Sequence, residues 1–192
     1  FTNGGLKAAL VRPLVRLLYR LAFGGNQVHT IFQNREDLDS FVNWGLVNKQ
    51  NCELIRGSGV DASRFTRTAR HDLSVTSSSQ VVKILFASRL LSEKGVFELL
   101  EAFARVHADC PQSELIIACD IYSENPSSLT LQDIEIMKEE EGVRFLGHVD
   151  DMVALLDEAD IVALPSYREG TPRILIEAAA MELPIVASDI AG

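Results

Sequence analysis

The sequence predicts an α/β protein built on a Rossmann-like, doubly wound parallel sheet, with a smaller α/β remnant ahead of it. Three observations carry this reading. From residue 81 onward, five short apolar runs are separated by four helix-period stretches, the pattern of a parallel sheet with crossover helices. The runs are continuously apolar rather than alternating, as in strands buried on both faces. The total charge of −9 is unevenly spread, net +4 over residues 1–80 and net −13 over 81–192, which marks two regions with different surroundings. The expected division is a first region at 1–63, a Ser/Thr-rich linker at 64–80 and the main domain at 81–192.

In chain order, "LKAALVRPLVRLLYRLA" (6–22) reads as an amphipathic helix with Leu6, Leu10, Leu14, Leu17, Leu18 and Leu21 on one face. Arg12, Arg16 and Arg20 fall on the opposite side, and Pro13 starts or kinks the helix. Such a helix either packs its leucines on its own domain or lies against a membrane surface with anionic head groups. "QVHTIFQN" (27–34) is a short strand, "REDLDSFVNWG" (35–45) a helix stopped by Gly45, and "NCELIRGSGVD" (51–61) a strand entering a glycine-rich turn. The Asp37-x-Asp39 pair is read as solvated helix charge, because residues two apart do not face each other on a helix.

In the main domain the strands are 81–88, 113–120, 143–149, 161–166 and 184–188. The helices between them are 95–110, 129–141, 151–160 and 172–182. Right-handed crossovers then set helices on both faces, and ligands of such sheets bind beyond the carboxyl ends of the strands.

Composition excludes several classes. At 47% hydrophobic and 23% charged residues the chain is ordinary globular protein. Three scattered cysteines, Cys52, Cys110 and Cys119, give no disulfide framework and no metal-ligand spacing, which fits a reducing, cytoplasmic setting. No run of 18 apolar residues and no signal peptide is recognisable. The acidity of residues 81–192 argues against nucleic acid as a partner.

The strand ends hold the chemistry. After the first strand, "SRLLSEKG" places Arg89 and Lys94 in a loop feeding a helix, an arrangement suited to phosphate. It is neither a GxGxxG nor a P-loop sequence. After the fourth strand, "PSYREGTPRI" holds Glu169 in a loop, followed by Gly170, which allows close approach of a ligand. Thr171 is expected to cap the next helix and Pro172 to take its first position. That helix would aim its free N–H groups at the strand ends. Glu177 lies roughly 9 Å farther along that helix, at about 1.5 Å per residue. Ile174, Leu175, Ile176, Ala178 and Ala179 surround it, so it needs hydrogen-bond donors. Ribose hydroxyls would supply them, and so would Arg173 at i−4.

These residues resemble a known family. "RLLSEKG", "FLGHVDDM" and "LPSYREGTPRILIEAAAMELPIVASD", with the pair Glu169 and Glu177 eight apart, are similar to the family 4 (group 1) glycosyltransferases of the GT-B fold. The resemblance spans residues about 27–192. Its wording is nearest to bacterial enzymes of capsule, O-antigen, lipopolysaccharide or lipid-linked glycan synthesis. It implies that residues 81–192 are an incomplete donor-binding half and that 1–63 is the end of the acceptor-side domain.

It further implies a retaining transfer from a nucleotide sugar, UDP-linked by default, to a glycan or polyprenol-linked acceptor. Neither cofactor nor metal is implied. Arg89 and Lys94 would hold the donor diphosphate and Glu169 the transferred sugar, with Gly170, Thr171 and Pro172 lining its pocket. Glu177 would hold the ribose, and Gly147, His148 and Val149 would border the base. The setting is cytoplasmic, at the inner face of the membrane, with peripheral contact through residues 6–22.

The sequence departs from the family pattern at three places. Glu182 stands where Gly is usual, "ACD" (118–120) replaces a Gly-containing strand end, and the chain stops at "ASDIAG". The resemblance therefore implies a fragment truncated at both ends that does not catalyse transfer alone. Two other readings remain at this point, a nucleotide-sugar epimerase on the same fold and a non-catalytic nucleotide-binding module.

Overall fold

A computed structural model of the chain describes residues 6–57, 59–68, 81–120, 125 and 127–190. Two compact units divide between Ser58 and Gly59. The first contains α1 (Leu6–Phe23), β1 (Thr30–Phe32), α2 (Arg35–Asn43) and β2 (Cys52–Leu54). β1 and β2 pair in parallel, Thr30 opposite Cys52. Asn34 caps α2, its Oδ1 accepting from the Asp37 N–H at 2.8 Å while its amide donates to the Asp37 carboxylate. Asp37 is thus part of a cap, and Asp39 takes no part in it. Phe32, Leu38 and Val47 form a small core extended by Phe23, Phe41 and Leu54.

α1 runs through Pro13. It rests on its unit through Tyr19 against Phe41, with centroids 5.6 Å apart, and through Arg16 over Trp44 at 5.1 Å. Leu14, Leu17, Leu18 and Leu21 are 54–74% exposed, so the leucine face does not pack on its own unit. The side expected to be solvated is the side that packs, because aromatic rings share it with the arginines.

The second unit holds β3 (Val82–Arg89), α3 (Val96–Asp109), β4 (Ser113–Asp120), α4 (Leu131–Glu139), β5 (Val143–Gly147), α5 (Met152–Glu158), β6 (Ile161–Leu164), α6 (Arg173–Ala180) and β7 (Ile185–Ala187). The strand order is β5-β4-β3-β6-β7, and every pairing is parallel. This is the predicted doubly wound sheet. Leu85 and Ile116 point into one core with Leu156, Ala178 and Met181 of the α5–α6 side. Phe86, Leu115 and Ile117 point into the other with Phe103 of α3 and Met137 of α4. Burial on both faces explains the unbroken apolar runs. β7 is the exception, with Val186 64% exposed, since only β6 pairs with it.

Capping fixes the helix starts. Thr130 and Asp133 form a capping box on α4, and Asp151 caps α5. Opposite the ligand edge, the Lys83 N–H donates to the Asp160 carboxylate at 2.8 Å. Glu158 bridges Lys83 and Arg144, and Arg144 reaches Glu114 at 3.0 Å. Residues 59–68 pack on this second unit. Phe65 is 5% exposed in its core, and the Arg67 guanidinium donates to the Ala159 carbonyl at 2.9 Å. The expected linker therefore has its first five residues held on the sheet unit, and positions 69–80 lie outside the described residues.

Candidate functional site

The strand order reverses beside β3. Its two neighbours are β4 and β6, and the chain runs from β3 through α3 to β4 but reaches β6 only after β5 and α5. The loops after β3 and β6 therefore flank the crevice at the topological switch point, where doubly wound sheets bind ligands. These are the two loops that hold Lys94 and Glu169.

Lys94 ends a single 3-10 turn, Ser92–Lys94, ahead of α3, and it is 7% exposed. Its ammonium donates to the Glu169 carboxylate at 2.6 Å, across 75 residues of sequence. The Ser166 hydroxyl, in a residue only 1% exposed, donates to the same oxygen at 2.7 Å. Two donors on Oε1 fix the carboxylate in direction. Glu169 lies in a loop, as expected, and is largely enclosed and paired there. In the sequence Ser166 lies within "PSYREGTPRI" with no role assigned to it. The Ser-x-x-Glu spacing was the available signal.

Gly95 makes the approach possible. Its φ is +71°, and a Cβ there would lie 2.1 Å from the Pro165 carbonyl oxygen. Only glycine lets the β6 loop come this close to the start of α3. Tyr167 joins the same two segments. Its N–H donates to the Glu93 carbonyl at 2.9 Å and its hydroxyl to the Glu98 carboxylate at 2.6 Å. That carboxylate raises the Tyr167 pKa, first through the hydrogen bond and then through its charge.

Arg89 stands apart from the pair, exposed at the end of β3 and without an ion pair among the described residues. Gly170 and Thr171 are half-buried in the loop before α6. α6 begins at Arg173, with Pro172 as N-cap and no side-chain cap hydrogen bond. Thr171 is therefore not the cap, and Pro172 precedes the first helical position. The Pro172 carbonyl already accepts from Leu175 N–H at 3.1 Å, so the proline takes the flanking place itself.

Glu177 is 8% exposed and lines a cavity of about 180 Å³ together with Ser88, Cys119, His148, Val149 and Met152. Arg173 donates to it at 3.2 Å, yet the arginine side chain is 70% exposed. Of the two sequence alternatives for Glu177, the i−4 arginine is the partner seen, and the carboxylate also borders the cavity. Gly147 ends β5 with φ +71°, and the His148 ring lies 3.0 Å from the Asp150 carboxylate. Cys119, at the strand end that departs from the usual glycine pattern, is buried against this cavity. No group of three or more His, Cys, Asp or Glu that could hold a metal occurs among the described residues.

The family model "Glycosyl transferases group 1" matches residues 81–192. The whole chain is 32% identical to the N,N'-diacetylbacillosaminyl-diphospho-undecaprenol alpha-1,3-N-acetylgalactosaminyltransferase of Campylobacter jejuni subsp. jejuni serotype O:2, covering 50% of that enzyme. WaaG, a glycosyltransferase involved in lipopolysaccharide biosynthesis, superposes with a TM-score of 0.74 at 16% identity, over 98% of this chain and 52% of that one. Anabaena Alr3699/HepE, solved with UDP-glucose, does so with a TM-score of 0.68 at 22% identity, over 91% and 49%. These likenesses establish the shared GT-B fold. The chain spans about half the length of such relatives or less. With a family match over more than half its residues, on the unit that carries the Lys94–Glu169 pair, the chain belongs to the group 1 glycosyl transferases.

Proposed function

We propose that the protein containing this chain transfers a sugar, with retention of configuration, from a nucleoside diphosphate sugar to a lipid-linked glycan acceptor. One observation carries the reading. The loops after β3 and β6, which flank the switch point, meet in a largely buried Lys94–Glu169 pair, on the same sheet edge as a cavity bordered by Glu177. In this reading Lys94 and Arg89 hold the donor diphosphate and stabilise charge on the leaving group. Glu169 meets the transferred sugar, flanked by Gly170, Thr171 and Pro172. Glu177 binds the ribose, and Gly147, His148 and Val149 border the base.

UDP is supported by the UDP-glucose bound to HepE, and a lipid-linked acceptor by the name of the Campylobacter enzyme. Fixed cations take the role a metal would have, so transfer proceeds without one. No helix among the described residues is long and apolar enough to cross a membrane. The exposed leucines of α1 support peripheral contact with the cytoplasmic face of a membrane.

The test is a screen of nucleotide sugars against the full-length protein, reading thermal shift, hydrolysis and the anomeric configuration of the product. Glu169→Gln and Lys94→Ala should each lower transfer by about 100-fold or more. Near-normal transfer by both variants, or no thermal shift with any nucleoside diphosphate, would sink the assignment.

A further inference from the structure

Lys94 and Glu169 belong to segments 75 residues apart, the first ending a single 3-10 turn and the second in a loop. Their separation therefore depends on what ties the two stretches together. The ties come in order along both segments. The carbonyl of Glu93, the residue before Lys94, accepts from the Tyr167 N–H at 2.9 Å. Lys94 meets Glu169. Glu98, in the first turn of α3, accepts from the Tyr167 hydroxyl at 2.6 Å. Tyr167 thus bonds on both sides of Lys94 and lies two residues before Glu169. Its ring is 59% exposed, so hydrophobic burial does not account for its placement. The phenol, with an ordinary pKa of about 10 that the neighbouring carboxylate raises further, is protonated at neutral pH. It is therefore a donor to a charged acceptor, the stronger class of hydrogen bond.

We propose that Tyr167 and Glu98 are positioning residues for the transfer: their hydrogen bond clamps the β6–α6 loop to the first turn of α3 and so sets the separation of Lys94 from Glu169. Neither touches the reacting atoms. Their effect reaches the chemistry through the geometry of the pair, where a displacement of about 1 Å is enough to cost a large part of the rate. The inference rests on the roles assigned to Lys94 and Glu169 under the proposed function.

The experiment is steady-state kinetics of the full-length protein with its nucleotide-sugar donor, beside thermal unfolding. Tyr167→Phe keeps the ring and removes one hydroxyl at an exposed site, so the fold is expected to survive. It should lower kcat roughly tenfold, the worth of one charge-assisted hydrogen bond, while the donor KM stays within about twofold, since Lys94 keeps its charge. Glu98→Ala should match it. The double variant should be no worse than either single one, because both remove the same bond. Glu98→Gln retains a carbonyl acceptor and should recover most of the rate, a recovery that a purely structural role would not show in kcat. A kcat for Tyr167→Phe within twofold of wild type overturns the proposal, as do additive losses in the double variant or a Glu98→Gln as impaired as Glu98→Ala. Absence of donor-dependent transfer by the wild type would instead overturn the proposed function and this inference together.

Discussion

Gly95→Ala probes the closest approach in the site. The substitution has two costs that the structure separates. The first is conformational: at φ +71° a residue with a Cβ is strained by about 1 kcal/mol. The second is steric. The added Cβ would lie 2.1 Å from the Pro165 carbonyl oxygen and 2.9 Å from its carbon, whereas carbon and oxygen rest at about 3.3 Å. Backbone must move by about 1 Å, since no flexible side chain stands in the way, and forced overpacking adds about 1–3 kcal/mol.

Gly147 supplies the control. It has the same φ of +71°, in the same unit, and a Cβ there meets nothing within 4 Å. Thermal unfolding of the full-length protein should show Gly147→Ala lowering Tm by roughly 3 °C and Gly95→Ala by roughly 10 °C. A shift of about 1 Å would also stretch the 2.6 Å Lys94–Glu169 contact past hydrogen-bonding range, so transfer by Gly95→Ala should fall about 100-fold. Equal Tm losses for the two variants would refute the steric argument. A destabilised Gly95→Ala with wild-type transfer would refute the link from that contact to the site.

Three further outcomes are expected. Glu177→Leu removes a nearly buried carboxylate whose arginine partner is mostly exposed; Tm should hold or rise, while the donor KM climbs about tenfold or more. A large loss of stability with an unchanged KM would make Glu177 a structural partner of Arg173. Glu182 has φ +57° without being glycine, so Glu182→Gly should raise Tm by roughly 3 °C, and a fall would show that its side chain outweighs the strain. The Glu158 carboxyl is held below its ordinary value by Lys83, against some desolvation, and by Arg144. The stability this contributes is therefore present above the unfolded glutamate pKa of about 4.3 and lost as pH falls through the lower folded value. Glu158→Gln should be less stable than wild type by about 1 kcal/mol at pH 7. The two should converge in urea titrations once the pH is below the lowered folded value, and a gap that persists in acid would exclude the charge as its source.

The fold was legible where local pattern and burial coincide. Continuous apolar runs such as "VVKILFAS" and "SELIIACD" become β3 and β4, the innermost strands, covered on both faces. Pattern misled where tertiary contact decides. The leucines of α1 read either as a face packed on its own domain or as a membrane-facing one, and the first reading fails because the helix rests on Tyr19 and Phe23; periodicity does not say which stripe finds a partner. Thr171 and Pro172 carry the composition of a helix start, and the helix begins one residue later than they imply, within the usual uncertainty of a boundary. Glu182, singled out as a non-glycine where glycine is usual, does occupy the left-handed region. There the sequence exposed a real backbone constraint.

The site was legible as a pair of loops but not as a pair of contacts. The rule that ligands bind at the switch point selects the loops after β3 and β6, and so selects Lys94 and Glu169 without any knowledge of their distance. It says nothing about which groups in those loops touch. The contacts that fix the geometry are Lys94 to Glu169, Tyr167 to Glu98 and Gly95 to Pro165, each joining positions about 70 residues apart. All three cross the same seam, between the start of α3 and the end of β6. They can form there because β3 and β6 are hydrogen-bonded neighbours, Ile84 opposite Ile161, which brings the two strand ends out side by side. The topology thus explains why a polar cluster is possible at this edge. It also makes the small residues there, Gly95 and Ser166, as consequential as the charged ones: the first admits the loop, and the second shares with Lys94 the task of aiming Glu169.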